Sequence, residues 1–155
     1  YPGGPVIEER AKHGDPKAFD LPRAWLNGSY DFSFSGLKTA VLRTLEKYNG
    51  PLANSFYADM AASFQASVVD VLVEKSAKAA DEFGANDVLL SGGVSANMKL
   101  RETARGRIGV TVYALPKVLC TDNAAMIAAT GYRRYQAGDR ASWDLDIRPG
   151  LRLAT

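Results

Sequence analysis

The 155-residue sequence has very little cysteine and histidine, with one residue of each, Cys120 and His13. One cysteine excludes an internal disulfide, and one histidine leaves a serine or cysteine hydrolase without a suitably spaced base. The sequence also lacks an apolar run of about 18 residues, which a membrane span needs, and a charged and then apolar leader, which secretion needs. We therefore expect a cytoplasmic protein without membrane contact.

Charge of either sign is also modest. A net charge of +2 and a pI near 8.7 are too mild to indicate nucleic-acid binding by themselves. Hydrophobic residues make up 46% and charged residues 23%, which is typical of a globular domain with one core. One basic cluster either contacts nucleic-acid phosphates or forms a solvated helix face: Lys99, Arg101, Arg105 and Arg107.

Apolar periodicity and turn residues predict an α/β order of elements. Gly84 is placed to end the longest helix. Two short strands with a helix between them favour parallel pairing through a right-handed crossover. The predicted helices span about 5–13, 35–48, 55–83 and 123–135, with a further helix after residue 97, and the predicted strands span about 87–90 and 110–114.

The most informative segment is 89–97, where Gly92 and Gly93 follow a strand and precede a helix. Glycine there allows otherwise forbidden dihedral angles and close approach of a ligand, and the helix start offers N–H groups to an anion. The Asn97 amide can donate and accept at once, as a ribose hydroxyl or purine edge requires. The alternative is a plain tight turn with Asn97 as a helix cap.

A second strand-to-helix connection lies at residues 120–128. Thr121 or Asp122 is placed to cap the following helix. The Asp122 carboxylate is either such a cap or a hard-oxygen metal ligand. Cys120 is interpreted as a small buried thiol rather than a nucleophile.

Five motifs, in this order and with compatible spacing, resemble those of the tRNA adenosine threonylcarbamoyltransferases, formerly labelled O-sialoglycoprotein endopeptidases. The resemblance covers nearly all of this chain but only the carboxyl-terminal half of a family member. The upstream lobe of the family, with its His-x-x-x-His metal pair, does not occur here. Because the chain starts at Tyr1 without a methionine, we expect that an upstream part is missing from this sequence. The motifs span residues 1–5, 31–39, 61–65, 91–97 and 120–128.

The resemblance implies an α/β fold that forms one lobe of the actin-like ATPase superfamily (the ASKHA, ribonuclease H-like fold), with an added helical segment. Residues 1–155 would form the C-terminal lobe, mainly helical over about 1–85 and an α/β nucleotide-binding segment over about 86–155. The N-terminal lobe would be absent from this chain.

The resemblance also implies the chemistry. The complete protein would transfer the threonylcarbamoyl group from threonylcarbamoyl-adenylate to the adenosine next to the anticodon in tRNAs that read ANN codons. Asp122 would bind one divalent metal ion, iron or zinc, with two upstream histidines. No catalytic residue is assigned within this chain. The residues that would contact the adenine nucleotide, whether threonylcarbamoyl-adenylate, ATP or AMP, are Gly4, Glu8, Gly92, Gly93 and Asn97.

The family further implies a paralogous actin-like subunit and a small ATPase subunit as partners. We expect these 155 residues to lack turnover on their own, because half of an interlobe pocket would be missing. The alternatives are a non-catalytic stand-alone lobe or partner subunit of the same fold, and a sugar kinase or other ATPase of the superfamily. A protease, including a metalloprotease, is disfavoured, and no serine or cysteine hydrolase triad can be built with His13 as the base.

Overall fold

The computed structural model describes residues 2–26, 28–147 and 149–150. They divide into two compact units, Tyr1–Thr121 and Asp122–Thr155. The first unit contains α1 (Gly3–Ala11), α2 (Ser35–Lys47), α3 (Asn54–Glu82), β1 (Asp87–Leu90), α4 (Met98–Arg107) and β2 (Thr111–Ala114). Two short 3₁₀ turns, Gly93–Ala96 and Lys117–Leu119, follow the strands, and the second unit contains α5 (Ala124–Gln136).

The long helix α3 is the centre of the first unit. Helices α1, α2 and α4 and strand β1 all pack against it. One apolar cluster joins α3 to α4 and β2 through Val73, Leu100 and Val112. A second joins α3 to α2 through Phe56 and Leu37. The first unit is therefore built around the helix whose apolar spacing is clearest in the sequence.

Helix α3 ends as the sequence predicts. Gly84 has a positive φ of 60°, and the Gly84 and Ala85 N–H groups donate to the Asp81 and Ala80 carbonyls at 3.2 and 2.8 Å. This pair of bonds is a Schellman motif, which satisfies carbonyls that the helix itself leaves unpaired. The chain is thereby turned directly into β1.

Among the described residues, one helix is long and apolar enough to meet the composition criterion for a membrane span. Helix α3 contains an 18-residue window with a mean hydropathy of 1.2, which meets the criterion for a span. Over half of that window, 56%, is buried inside the structure. The packing of α3 in the core accounts for its apolar composition.

The two strands pair in parallel, as predicted. Asp87 lies opposite Thr111 and Leu90 opposite Ala114. Helix α4 connects the strands, and one sheet face, with Val88 and Val112, joins the core around α3. The described residues thus form a mixed fold with a small parallel sheet. The turn of residues 92–97 follows the carboxyl end of β1.

Two helix starts differ from the sequence prediction. Helix α1 begins at Gly3 rather than after Pro5, because proline is tolerated in a first helical turn, where its missing N–H has no intrahelical partner. In the second unit, the cap of α5 is Asn123, whose Oδ1 accepts from the Met126 N–H at 3.0 Å. Neither Thr121 nor Asp122 is this cap.

The predicted division of the chain near residue 85 stays a prediction.

Candidate functional site

A cleft of about 620 Å³ lies in the first unit, beside the turn after β1. Helices α1, α2 and α3 and the turn of residues 92–97 contribute to its walls. Gly4 and Glu8 line it from α1, and Gly93 and Asn97 line it from the turn. Four of the five predicted nucleotide contacts therefore share one cleft, although the two pairs lie far apart in the sequence. Gly92 precedes Gly93 but is not among the lining residues.

The turn after β1 needs glycine at its first position. Gly92 has a φ of 81°, a conformation that side chains with a Cβ rarely adopt. The Gly92 carbonyl accepts from the Ser95 N–H at 3.0 Å and from the Ser95 hydroxyl at 2.7 Å. A Cβ added to Gly93 would meet no atom within 4 Å. The turn is therefore tightly bonded on its inner side and open on the side that faces the cleft.

Asn97 is the N-cap of α4, so the alternative reading of this residue is confirmed. Its Oδ1 accepts from the Leu100 N–H at 2.9 Å, and its Nδ2 donates to Gln65 Oε1 at 2.8 Å. The second bond fixes which way the amide points. One Nδ2 hydrogen remains for a ligand, because an amide nitrogen carries two.

Glu8 reaches the same helix start from α1. Its Oε1 accepts from the Met98 N–H at 2.7 Å, and a carboxylate is favoured there by the helix dipole. In the first turn of α4, the N–H groups of Met98 and Leu100 thus already donate to side-chain oxygens of the protein. The expectation that these N–H groups bind an anion is wrong for both. Among the described residues, Oε2 of Glu8 has no hydrogen-bond partner.

The remaining walls of the cleft are mostly apolar, with one cationic side chain. Lys38 of α2 lines the cleft, as does Phe34 just before that helix. An apolar surface with a few polar groups is typical of sites for small organic ligands. The apolar lining from α3 and α4 includes Phe64, Val68, Leu72, Leu100, Ala104 and Ile108.

The predicted metal ligand lies in the other unit. Asp122 is its first residue, and the described residues contain no group of three or more His, Cys, Asp or Glu side chains that could hold a metal ion. One carboxylate does not form a zinc or iron site, which needs at least three protein ligands. The described residues therefore do not fit a complete metal centre, and Asp122 as a ligand stays a prediction.

Two residues behave differently from the sequence prediction. Gln65 was given no role of its own, and its position in the motif at 61–65 was the only signal for it. Arg101 was predicted, with its basic cluster, to contact nucleic-acid phosphates or to lie on a solvated helix face, but it is 7% exposed, so that prediction is wrong for this residue. The interpretation of Cys120 as a buried thiol is confirmed, since it is 4% exposed.

The described residues define a mixed α/β protein with a small parallel sheet and a cleft beside the glycine turn, and in open α/β sheets ligands bind at this edge. Comparison with known sequences narrows this class to one family. The family profile of tRNA N6-adenosine threonylcarbamoyltransferase matches residues 1–129. The chain belongs to this family.

Curated relatives with the same name extend the match to almost the whole chain. The Symbiobacterium thermophilum protein is 54% identical over 156 residues, which cover 99% of this chain and 46% of the relative. The Thermomicrobium roseum protein is 51% identical and the Bacillus subtilis protein 48% identical, each over 100% of this chain. Since 48% and 46% of these two relatives are covered, the chain spans about half the length of the curated relatives it matches.

Proposed function

We propose that this chain forms the adenylate-binding part of a tRNA N6-adenosine threonylcarbamoyltransferase. The observation that carries the proposal is the single cleft in which Gly4 and Glu8 of α1 meet Gly93 and Asn97 of the turn. The reaction would transfer the threonylcarbamoyl group of threonylcarbamoyl-adenylate to the exocyclic amine of the adenosine next to the tRNA anticodon. Modified tRNA and AMP would be the products.

The charges in the cleft favour one orientation of the adenosine moiety. The Glu8 carboxylate repels a phosphate but accepts hydrogen bonds from the two hydroxyls of a ribose. Asn97 supplies its second amide hydrogen to the ribose or to the purine edge. The adenine ring would then lie against the apolar wall, and Lys38, which also lines the cleft, offers a positive charge to the phosphate.

The role of the cleft is positioning. Holding the donor in one geometry beside the acceptor amine makes the attack effectively intramolecular, which supplies several kcal/mol of the barrier reduction. The backbone at Gly93 allows close approach because no side chain intervenes. No residue of this chain is assigned as an acid or base.

The wider assembly is also a proposal. We infer that the small parallel sheet and its helices belong to one lobe of an actin-like ATPase fold, as the family implies. Asp122 is proposed as one ligand of a divalent iron or zinc ion, whose other ligands would lie outside the described residues. A paralogous actin-like subunit and a small ATPase subunit are the proposed protein partners, and a cytoplasmic location stays a prediction.

Calorimetric titration with AMP tests the cleft directly, on the protein expressed from its complete reading frame. Glu8→Gln keeps an oxygen for the Met98 N–H but removes the charge. Loss of a charged hydrogen bond to the ribose weakens AMP binding by roughly tenfold or more. No AMP binding by the unsubstituted protein would refute the proposal. Tighter binding by Glu8→Gln would show that the phosphate, not the ribose, faces this carboxylate.

Glu9→Gln is the matched control on the same helix. Glu9 is exposed and pairs with Lys12 at 2.5 Å. This hydrogen bond and the charge of Lys12 hold the pKa of Glu9 below its ordinary value, so the control removes a full negative charge as well. The AMP affinity of this variant should equal that of the unsubstituted protein.

A further inference from the structure

Arg101 is a buried cation held without a carboxylate. It lies one turn into α4 and is 7% exposed, and among the described residues it forms no ion pair within 4.0 Å. Burying a charge is costly unless it is well paired. The polar atoms that compensate this charge therefore indicate what the side chain holds in place.

The guanidinium group of Arg101 contacts two backbone carbonyls and one side chain. Nε donates to the Ser95 carbonyl at 2.5 Å, and Nη2 donates to the Leu115 carbonyl at 2.7 Å and to Cys120 Sγ at 3.0 Å. Ser95 belongs to the turn after β1, whereas Leu115 and Cys120 belong to the connection after β2. The planar fork of arginine sets the directions of these bonds together. One side chain thus links the ends of both strands.

The link continues to the glycine turn. Ser95 is 3% exposed, and its hydroxyl donates to the Gly92 carbonyl at 2.7 Å. The Arg101 guanidinium therefore fixes the Ser95 carbonyl by a hydrogen bond, and the Ser95 hydroxyl fixes the Gly92 carbonyl by another. Gly93, the next residue, lines the cleft. The backbone shape at the cleft therefore depends on a group that does not itself line it.

We propose that Arg101 is a positioning residue for adenylate binding. Its guanidinium anchors the turn of residues 92–97 to the connection after β2 and so holds Gly93 and Asn97 in the geometry that receives the ligand. This inference rests on the proposed function. A single ammonium group cannot reproduce the fork, because lysine provides one point charge in place of two fixed donor directions.

Calorimetry with AMP separates positioning from mere stabilisation, since it reports affinity and binding stoichiometry separately. Arg101→Met retains most of the side-chain length and removes every donor. A misplaced turn raises the Kd for AMP by roughly tenfold and leaves the stoichiometry near that of the unsubstituted protein. Arg101→Lys should show a smaller rise. If Arg101→Met does not yield folded protein, Arg101→Lys provides the same test and should raise the Kd.

Val112→Ala is the matched control for lost stability. Val112 is 8% exposed in the apolar cluster that joins α3 to α4 and β2 and does not line the cleft, so this variant should lower the melting temperature and leave the Kd unchanged. An unchanged Kd in the folded Arg101 variants, or a loss confined to the stoichiometry, would overturn the inference while the proposed function stands. Failure of the unsubstituted protein to bind AMP would instead refute the proposed function, and the inference with it.

Discussion

Two substitutions of Asn97 separate its capping role from its proposed ligand contact. Asn97→Ser keeps an oxygen for the Leu100 N–H, which lies 2.9 Å from Oδ1 in the structure, whereas Asn97→Ala does not. Both variants lose the 2.8 Å bond to Gln65. The difference in the free energy of unfolding between the two variants therefore isolates the cap, at about 1 kcal/mol.

That difference is measurable by thermal unfolding. For a chain of this size, 1 kcal/mol corresponds to about 2–4 °C in the melting temperature, with Asn97→Ser the more stable variant. Both variants should bind AMP about 2- to 10-fold more weakly, because both lack the amide N–H that the ligand would use. Equal melting temperatures would refute the capping role. Unchanged AMP affinity in Asn97→Ser would refute the ligand contact.

Two further predictions concern packing and titration in the first unit. A Cβ added at Gly14 would lie 2.1 Å from the Ala58 carbonyl oxygen. Gly14→Ala should therefore push the turn after α1 away from α3 and lower the free energy of unfolding by about 1–3 kcal/mol, and an unchanged denaturation midpoint would contradict this. The hydrogen bond to Glu82 raises the pKa of Tyr30 to about 12, so this contact stabilises the fold below pH 10, the usual value for tyrosine, and is lost as the pH rises through 12. Glu82→Gln should bring the ionisation of one tyrosine back towards pH 10 in an absorbance titration, and an unaltered titration curve would exclude the contact.

Secondary structure was the most predictable part of this fold. The two strands, the long helix and its end at Gly84 follow from apolar spacing and from one residue that tolerates a positive φ. The cap of α5 was not predictable, because Thr121, Asp122 and Asn123 are all good caps and only the three-dimensional path of the chain selects Asn123. For α1, the sequence prediction starts the helix near Pro5, but Gly3, Gly4 and Pro5 are all compatible with a first helical turn.

The sequence predicted several of the residues that line the cleft, but it did not predict the hydrogen bonds between them. The family resemblance implied roles for Glu8 and Asn97, and the structure brings both to one cleft. That Glu8 accepts from Met98 and that Gln65 orients Asn97 depends on packing between α1, α3 and α4. Arg101 was the least predictable, because arginine in a basic cluster is usually exposed.

The most direct test of the account is a transfer assay. The protein expressed from its complete reading frame, with the proposed partner subunits, would be incubated with threonylcarbamoyl-adenylate and a tRNA that reads ANN codons, followed by nucleoside analysis by mass spectrometry. The account predicts threonylcarbamoyladenosine and an equal amount of AMP, with a strong reduction for Glu8→Gln and none for Glu9→Gln. Absence of the modified nucleoside, or equal loss in both variants, would contradict the assignment of the cleft to the adenylate donor.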